Sequence, residues 1–269
     1  MKSVVLDKSY LEGASGKEVL ALRERRRLLM CGALFYELLD TSAEQRRKCF
    51  GKLPQVVNPV VLVDHVGDLL RRELRDQRPC GKPSKCAIDI TFRFNPVLLT
   101  ESYELPEEAR QVLREEVESL DGERTRLIDL SETASSLFSN LLEGNDAQRA
   151  QAREGALRMI ADVEWVTGFY AQLASPDPNA PFPDSFIVGP EWAHLRWLQV
   201  QLLFTLDLYV RHQGRLRETL TQGVYLGLEH DLHDAQGLAL GVLEGAFATR
   251  ENKLAKWFAL LRPDGELVQ

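Results

Sequence analysis

Cysteine is scarce in this chain of 269 residues: there are four, Cys31, Cys49, Cys80 and Cys86, and no two are spaced as Cys-x-x-Cys. That pattern excludes a dense disulfide framework and argues against a zinc site, leaving free thiols and a cytoplasmic setting as the expectation. No Gly-x-Gly-x-x-Gly or Walker-type glycine loop occurs, so nucleotide binding through those phosphate cradles has no support. Repeats of fixed period are absent too. The opening MKSVVLDKSYLEG lacks the long apolar core of a secretory leader, because Asp7 and Lys8 interrupt it early. The longest apolar stretch, beyond Pro190, is broken by His194, Arg196, Gln199, Gln201 and Asp207, which excludes a membrane span there and predicts a central buried helix lasting to about His212. No membrane partner is expected.

An overall basic excess is also missing. The net charge is −7, which argues against a wholly basic nucleic-acid binder. The charge is uneven, however. Residues 46–93 carry eleven Lys/Arg against five Asp/Glu, an excess of +6, which leaves −13 for the rest. Such asymmetry suits an acidic site beside a separate surface for phosphates, with Arg71, Arg72, Arg75 and Arg78 as the candidate backbone contacts; a solvated helix face explains it equally well.

With 44% hydrophobic and 27% charged residues, the chain reads as a soluble globular protein of one large or two small domains. Two stretches organise it. The first is SVVLDKSYL, a short apolar strand ending at Asp7, followed by a charged helix over 17–27, a strand over 28–30 and a helix ALFYELLD carrying Glu37. The second is LEHDLHDAQGLALGVLEGAFATRENKL, residues 228–254. Here Asp231 and Asp234 are expected to open a helix whose stripe is Ala235, Leu238, Ala239, Val242 and Leu243. Gly237 and Gly241 permit close packing, Gly245 ends the helix, and a strand over 246–249 precedes Glu251. Residues just past the carboxyl ends of parallel strands line the crevice of an open α/β sheet, which places Glu251 near a site with Asp234 as its neighbour.

An acid after the first strand, one on the helix after the second, one on a late helix and one after a late strand together resemble the PIN-domain nucleases. The matching residues are Asp7, Glu37, Asp234 and Glu251, with Thr249 at the family's usual hydroxyl position. That family usually has Asp or Asn where Glu251 stands. The resemblance covers roughly residues 1–45 and 205–265. It implies an α/β fold with a central parallel sheet flanked by helices, a PIN-like core over 1–45 and 191–269, and a mainly helical insertion over 46–190. It further implies metal-dependent hydrolysis of phosphodiesters, RNA favoured over DNA. Asp7, Glu37, Asp234 and Glu251 would then be the catalytic acids and, with Asp231 as a fifth, the ligands of Mg²⁺ or Mn²⁺.

Several acids packed together repel one another, and a bound hard cation relieves this. Each acid alone has an ordinary role as well: Asp234 as a helix cap, Asp7 as a strand-end turn residue, Glu37 and Glu251 as surface charges. His230 and His233 are expected at the surface or behind the acids. Two rival readings follow, a non-catalytic PIN-like scaffold binding a protein or nucleic-acid partner (with room for a homo-oligomer) and a hydrolase of small phosphate esters.

Between these stretches, 41–52 reads as a polar basic connection, 56–63 as an apolar run interrupted by Pro59, and 64–75 as a helix. The trio Asp64, His65 and Asp68 is read as a solvated face. Residues 79–86 form a Gly/Pro loop and 87–94 an extra strand. Helices are predicted from Pro106, with Val112, Leu113, Val117 and Leu120 as its stripe, over 132–142 and over 146–173, and a proline-rich connection over 175–184. Trp192 and Trp197 are assigned to an aromatic core.

Overall fold

A computed structural model describes residues 1–173 and 188–269. The proline-rich connection at 175–184 lies outside the described residues, as do the side chains of Val112, Leu113, Val117 and Leu120. Five short strands, β1 (Ser3–Leu6), β2 (Arg27–Cys31), β3 (Val61–Val63), β4 (Ala246–Ala248) and β5 (Glu266–Val268), form one sheet in the order β3-β2-β1-β4-β5, every pair parallel. Val4 pairs with Leu28 and Val5 with Phe247 in the central register. All four residues of β1 are buried, because helices cover both faces of a parallel sheet and the strand is therefore a continuous apolar run.

Helices fill every crossover. α1 (Lys8–Gly13) and α2 (Gly16–Arg25) join β1 to β2, and α3 (Gly32–Leu39) and α4 (Ala43–Phe50) join β2 to β3. Between β3 and β4 run α5 (Val66–Asp76), α6 (Glu107–Leu137), α7 (Asp146–Ala161), α8 (Val163–Leu173), α9 (Ala193–Arg211) and α10 (Gln222–Glu244); α11 (Asn252–Leu261) leads to β5. The α/β architecture expected from the sequence is therefore present. The segment read as a helical insertion also contributes β3 to the sheet itself.

Several local expectations change. α10 begins at Gln222, so Asp231 and Asp234 sit inside it and do not open it. The Thr221 hydroxyl accepts from the Val224 amide, and the stripe Val224, Leu228, Leu232, Ala235 extends the apolar face upstream past Gly223 and Gly227. Residues 41–52 hold α4, whose Arg46 is buried: its guanidinium donates to the carbonyls of Leu98 (2.8 Å), Thr100 (3.2 Å) and Thr41. Residues 87–94 form no strand. After a single antiparallel bridge between Val63 and Ala87, the Ile90 amide turns back to the Ile88 carbonyl and the ladder stops.

The helix predicted from Pro106 runs without a break as α6 to Leu137, joining most of the separate helix expected over 132–142, because Arg124, Leu127, Ile128, Ser131 and Ala134 keep one buried face along it. The helix over 146–173 breaks instead at Asp162, whose carboxylate accepts from the amides of Glu164 (2.9 Å) and Trp165 (3.2 Å) and starts α8 afresh. α9 is the central buried helix, with Trp192 and Trp197 in the core.

α10 lies directly on the sheet. A Cβ at Gly241 would stand 2.7 Å from Phe247 Cδ2 and 2.9 Å from its Cβ, atoms that a buried ring on β4 cannot move aside. Gly245 then ends the helix with φ 81°, a conformation glycine adopts without steric cost. Gly241→Ala should lower stability by about 1–3 kcal/mol, since the overpacking outweighs the gain of about 1 kcal/mol in helix propensity. Urea unfolding checks this, and a stabilised variant would disprove the close approach.

Candidate active site

The chain starts at the centre of the sheet, builds outward through β2 and β3, and returns to β4 on the other side of β1. The strand order therefore reverses between β1 and β4, and the crevice at such a reversal, past the carboxyl ends of the strands, is where open α/β sheets bind ligands. Asp7 follows β1 there, and Thr249, Arg250 and Glu251 follow β4.

Asp7 is held by the turn that starts α1. Its Oδ2 accepts from the Ser9 amide (3.3 Å), the Ser9 hydroxyl and the Thr249 hydroxyl (2.8 Å). Thr249 is fully buried and also receives the Glu251 amide on its Oγ1 at 3.1 Å, so one hydroxyl links the two acidic turns. Ser9 adds a second link, since its Oγ accepts from the Arg250 amide at 3.0 Å. Burial pushes the Asp7 carboxyl above its ordinary range, against the opposing pull of the Ser9 and Thr249 hydrogen bonds.

Asp234 reaches the same place from α10. Burial first, and the nearby charges of Glu251 and Asp7 next, push its carboxyl up to about 8. Glu251, which hydrogen-bonds to Asp234, is raised as well, by burial and by Asp7 and Asp231, with Lys253 opposing. Asp7, Asp234 and Glu251 therefore form one electrostatically interacting group. The shift favours the neutral form of Asp234, because a carboxyl withdrawn from water beside other acids is costly to ionise, while Lys253, 3.7 Å from Glu251, partly offsets the charge there.

The remaining predicted residues stand differently. Glu37, on α3, lines the same small cleft of about 60 Å³ as Asp7, Asp234, His230 and His233, but its Oε1 is engaged by the Lys8 ammonium at 2.5 Å. Burial of Lys8 opposes its charge, and Glu37 more than compensates, so the ammonium titrates above its ordinary value. Asp231 is turned away into an ion network with Arg211 (3.0 Å) and Lys253 (3.3 Å). Three of the candidate phosphate contacts already have acidic partners: Arg71 with Asp68, Arg72 with Asp64 and Arg75 with Asp76, at 2.5, 2.6 and 2.7 Å. Asp64, His65 and Asp68 accordingly serve local ion pairs; His65 Nε2 lies 3.1 Å from Asp68 Oδ2.

Sequence reading missed Lys8, Ser9 and Lys253. The signal for Ser9 was present in the Asp-x-Ser spacing after a strand, a pattern that closes a helix-capping turn. Lys8 and Lys253 carried no comparable signal, since their partners Glu37 and Asp231 are distant in sequence. A larger cavity, about 530 Å³ between the end of α6 and α7, contains Glu143 as its one ionisable lining residue among the described residues and no cluster suited to catalysis.

The donor chemistry of Asp7, Asp234 and Glu251 suits a hard divalent cation: oxygen ligands, Asp7 buried and the other two partly so, with repulsion that such an ion would relieve. The arrangement is not pre-formed. Among the described residues, no three His, Cys, Asp or Glu side chains stand together as a metal-ligating group. An ion would have to compete with the protonation that burial and the neighbouring acids favour at Asp234. Among the described residues, no helix is long and apolar enough to cross a membrane. No disulfide joins any of the four cysteines. In comparisons with family models, curated proteins and solved structures, nothing matches this chain.

Proposed function

We propose that this protein is a divalent-cation-dependent hydrolase of phosphodiester bonds, acting on RNA in preference to DNA. The observation that carries the reading is the interacting trio Asp7, Asp234 and Glu251 at the point where the strand order reverses. Asp7, Glu37, Asp234 and Glu251 also follow the chain order of the acids in the PIN nucleases that the sequence resembles, and the preference for RNA rests on that resemblance alone. Mg²⁺ or Mn²⁺ would supply an activated water and neutralise charge developing on the phosphate. Asp7 is the anchoring ligand, its orientation set by Ser9 and Thr249. Asp234 and Glu251, once ionised, would complete the ligand set. Asp231 sits behind them and orients Lys253 beside Glu251.

Two observations favour a second reading, the non-catalytic PIN-like scaffold: Glu37 is engaged by Lys8, and no metal-ligating group is pre-formed among the described residues. Incubation of the purified protein with end-labelled single-stranded RNA separates the two. Cleavage in Mn²⁺ that EDTA abolishes is the expected result. Intact RNA, together with no calorimetric Mn²⁺ binding, would leave the scaffold reading standing.

A further inference from the structure

We propose that the segment 87–93, which runs along the outer side of β3, is a self-pairing edge through which two copies of this chain join antiparallel about Thr91. Cys86 and Ile88 hold the segment to β3: the Ile88 amide donates to the Leu62 carbonyl (2.9 Å) and the Asp64 amide to the Cys86 carbonyl (3.5 Å). Further along, Asn58 takes over from the strand. Its backbone amide donates to the Phe92 carbonyl (2.9 Å), its side-chain amide to the Ile90 carbonyl (3.3 Å), and its Oδ1 accepts from the Phe92 amide (2.9 Å). Each even-numbered residue from Cys86 to Phe92 is thus engaged on the β3 side. The backbone amides and carbonyls of Asp89, Thr91 and Arg93 have no hydrogen-bond partner among the described residues. Alternate residues of an extended chain present these groups to opposite edges, so Asp89, Thr91 and Arg93 form a free strand edge.

What this edge displays selects its occupant. Ile88 and Ile90 are 40% and 44% exposed, in the alternation that leads through Phe92 to the buried Phe94. Asp89 and Arg93 belong to the other set, are exposed, and have no ion-pair partner among the described residues. Proline or charges of one sign would keep such an edge apart, and 87–93 carries neither. Its two charges are opposite and flank Thr91 symmetrically. In an antiparallel pair with a two-fold axis at Thr91, Asp89 of each copy faces the partner's Arg93, Thr91 faces the partner's Thr91, and Ile90 faces the partner's Phe92. One register therefore pairs both charges, satisfies the free backbone groups and covers exposed isoleucine. A second copy meets these requirements by symmetry alone. The crevice at Asp7 lies on the far side of β2 from this edge, so pairing and the chemistry of the acids are separable.

Sedimentation velocity over a micromolar concentration series measures the dimer. Wild type should show a monomer–dimer equilibrium, and hydrogen exchange at the amides of Asp89, Thr91 and Arg93 should slow as the dimer fills. Asp89→Arg and Arg93→Asp each set like charges opposite one another and should raise the dissociation constant roughly tenfold or more. The double variant D89R/R93D restores opposite charges in the same register and should dimerise as wild type does. Both side chains are exposed, so the variants should fold, which circular dichroism checks. A wild type that stays monomeric at every concentration overturns the proposal and leaves this edge to a strand of another protein. A dimer that both single variants leave intact, or a double variant that stays apart, assigns the contact to another surface and overturns it too.

Discussion

Without divalent ions, the protein should become less stable as pH rises from about 4 to about 8, and Asp234→Asn should remove most of that loss. The Asp234 carboxyl stands at about 8 in the folded protein against an ordinary value of 3.8. Over that window the folded state therefore holds a proton that the unfolded chain has released. A group raised in this way gives its full stabilisation below the unfolded value and loses it as pH climbs to the folded one. Asp7 and Glu251 are raised too and act in the same direction. For a coupled buried pair the effect is on the order of a few kcal/mol, a large part of the stability of a typical domain. Urea unfolding at about pH 5 and about pH 8, in EDTA, measures it. Added Mn²⁺ should restore stability at the higher pH and do little at the lower, where protons already occupy the carboxylates. A wild-type protein equally stable at both values, or more stable at the higher, would show that these acids do not interact as described.

Asp7→Asn and Asp234→Asn should each lower Mn²⁺-dependent RNA cleavage by roughly a hundredfold or more, because an amide oxygen replaces an anionic ligand at a site whose chemistry depends on the bound ion. Folding should survive both changes. The amide introduced by Asp7→Asn retains an acceptor for Ser9 and Thr249, and Asp234→Asn removes charge from a crowded group. Asp7→Asn should also raise stability at about pH 8 in EDTA, since it removes one of the charges that act on Asp234 and Glu251. Single-turnover cleavage and circular dichroism on the same preparations keep loss of chemistry apart from loss of fold. A variant that cuts at the wild-type rate removes that residue from the ligand set.

The positions of Asp7 and Glu251 at strand ends were legible in the sequence. SVVL and AFA are short apolar runs ended by turn residues, and a parallel sheet buried on both faces requires such runs. Gly245 was legible as a helix end for a similarly local reason, the left-handed backbone that glycine accepts. Helix starts were harder to read. Thr221 caps α10 upstream of two glycines that resemble breakers, and the buried Arg124 ties the middle of α6 to Tyr225 and Glu229 of α10. In both cases packing outweighed intrinsic propensity.

The sequence by itself determined which residues carry the acids, the α/β class, and the order in which those acids arrive. Each of these depends on local pattern: apolar periodicity, strand-end turns and glycine stops. Only the tertiary structure decided which acids share a charge environment. Asp7, Asp234 and Glu251 meet because β4 inserts beside β1 and α10 lies close over Phe247 through Gly241. Asp231, three residues from Asp234 on the same helix, adds its charge to that group but forms its ion pairs with Arg211 and Lys253, and Glu37 pairs with Lys8. Electrostatic partnership depends on distance through space and on burial, and neither quantity is encoded in the spacing of residues along a chain.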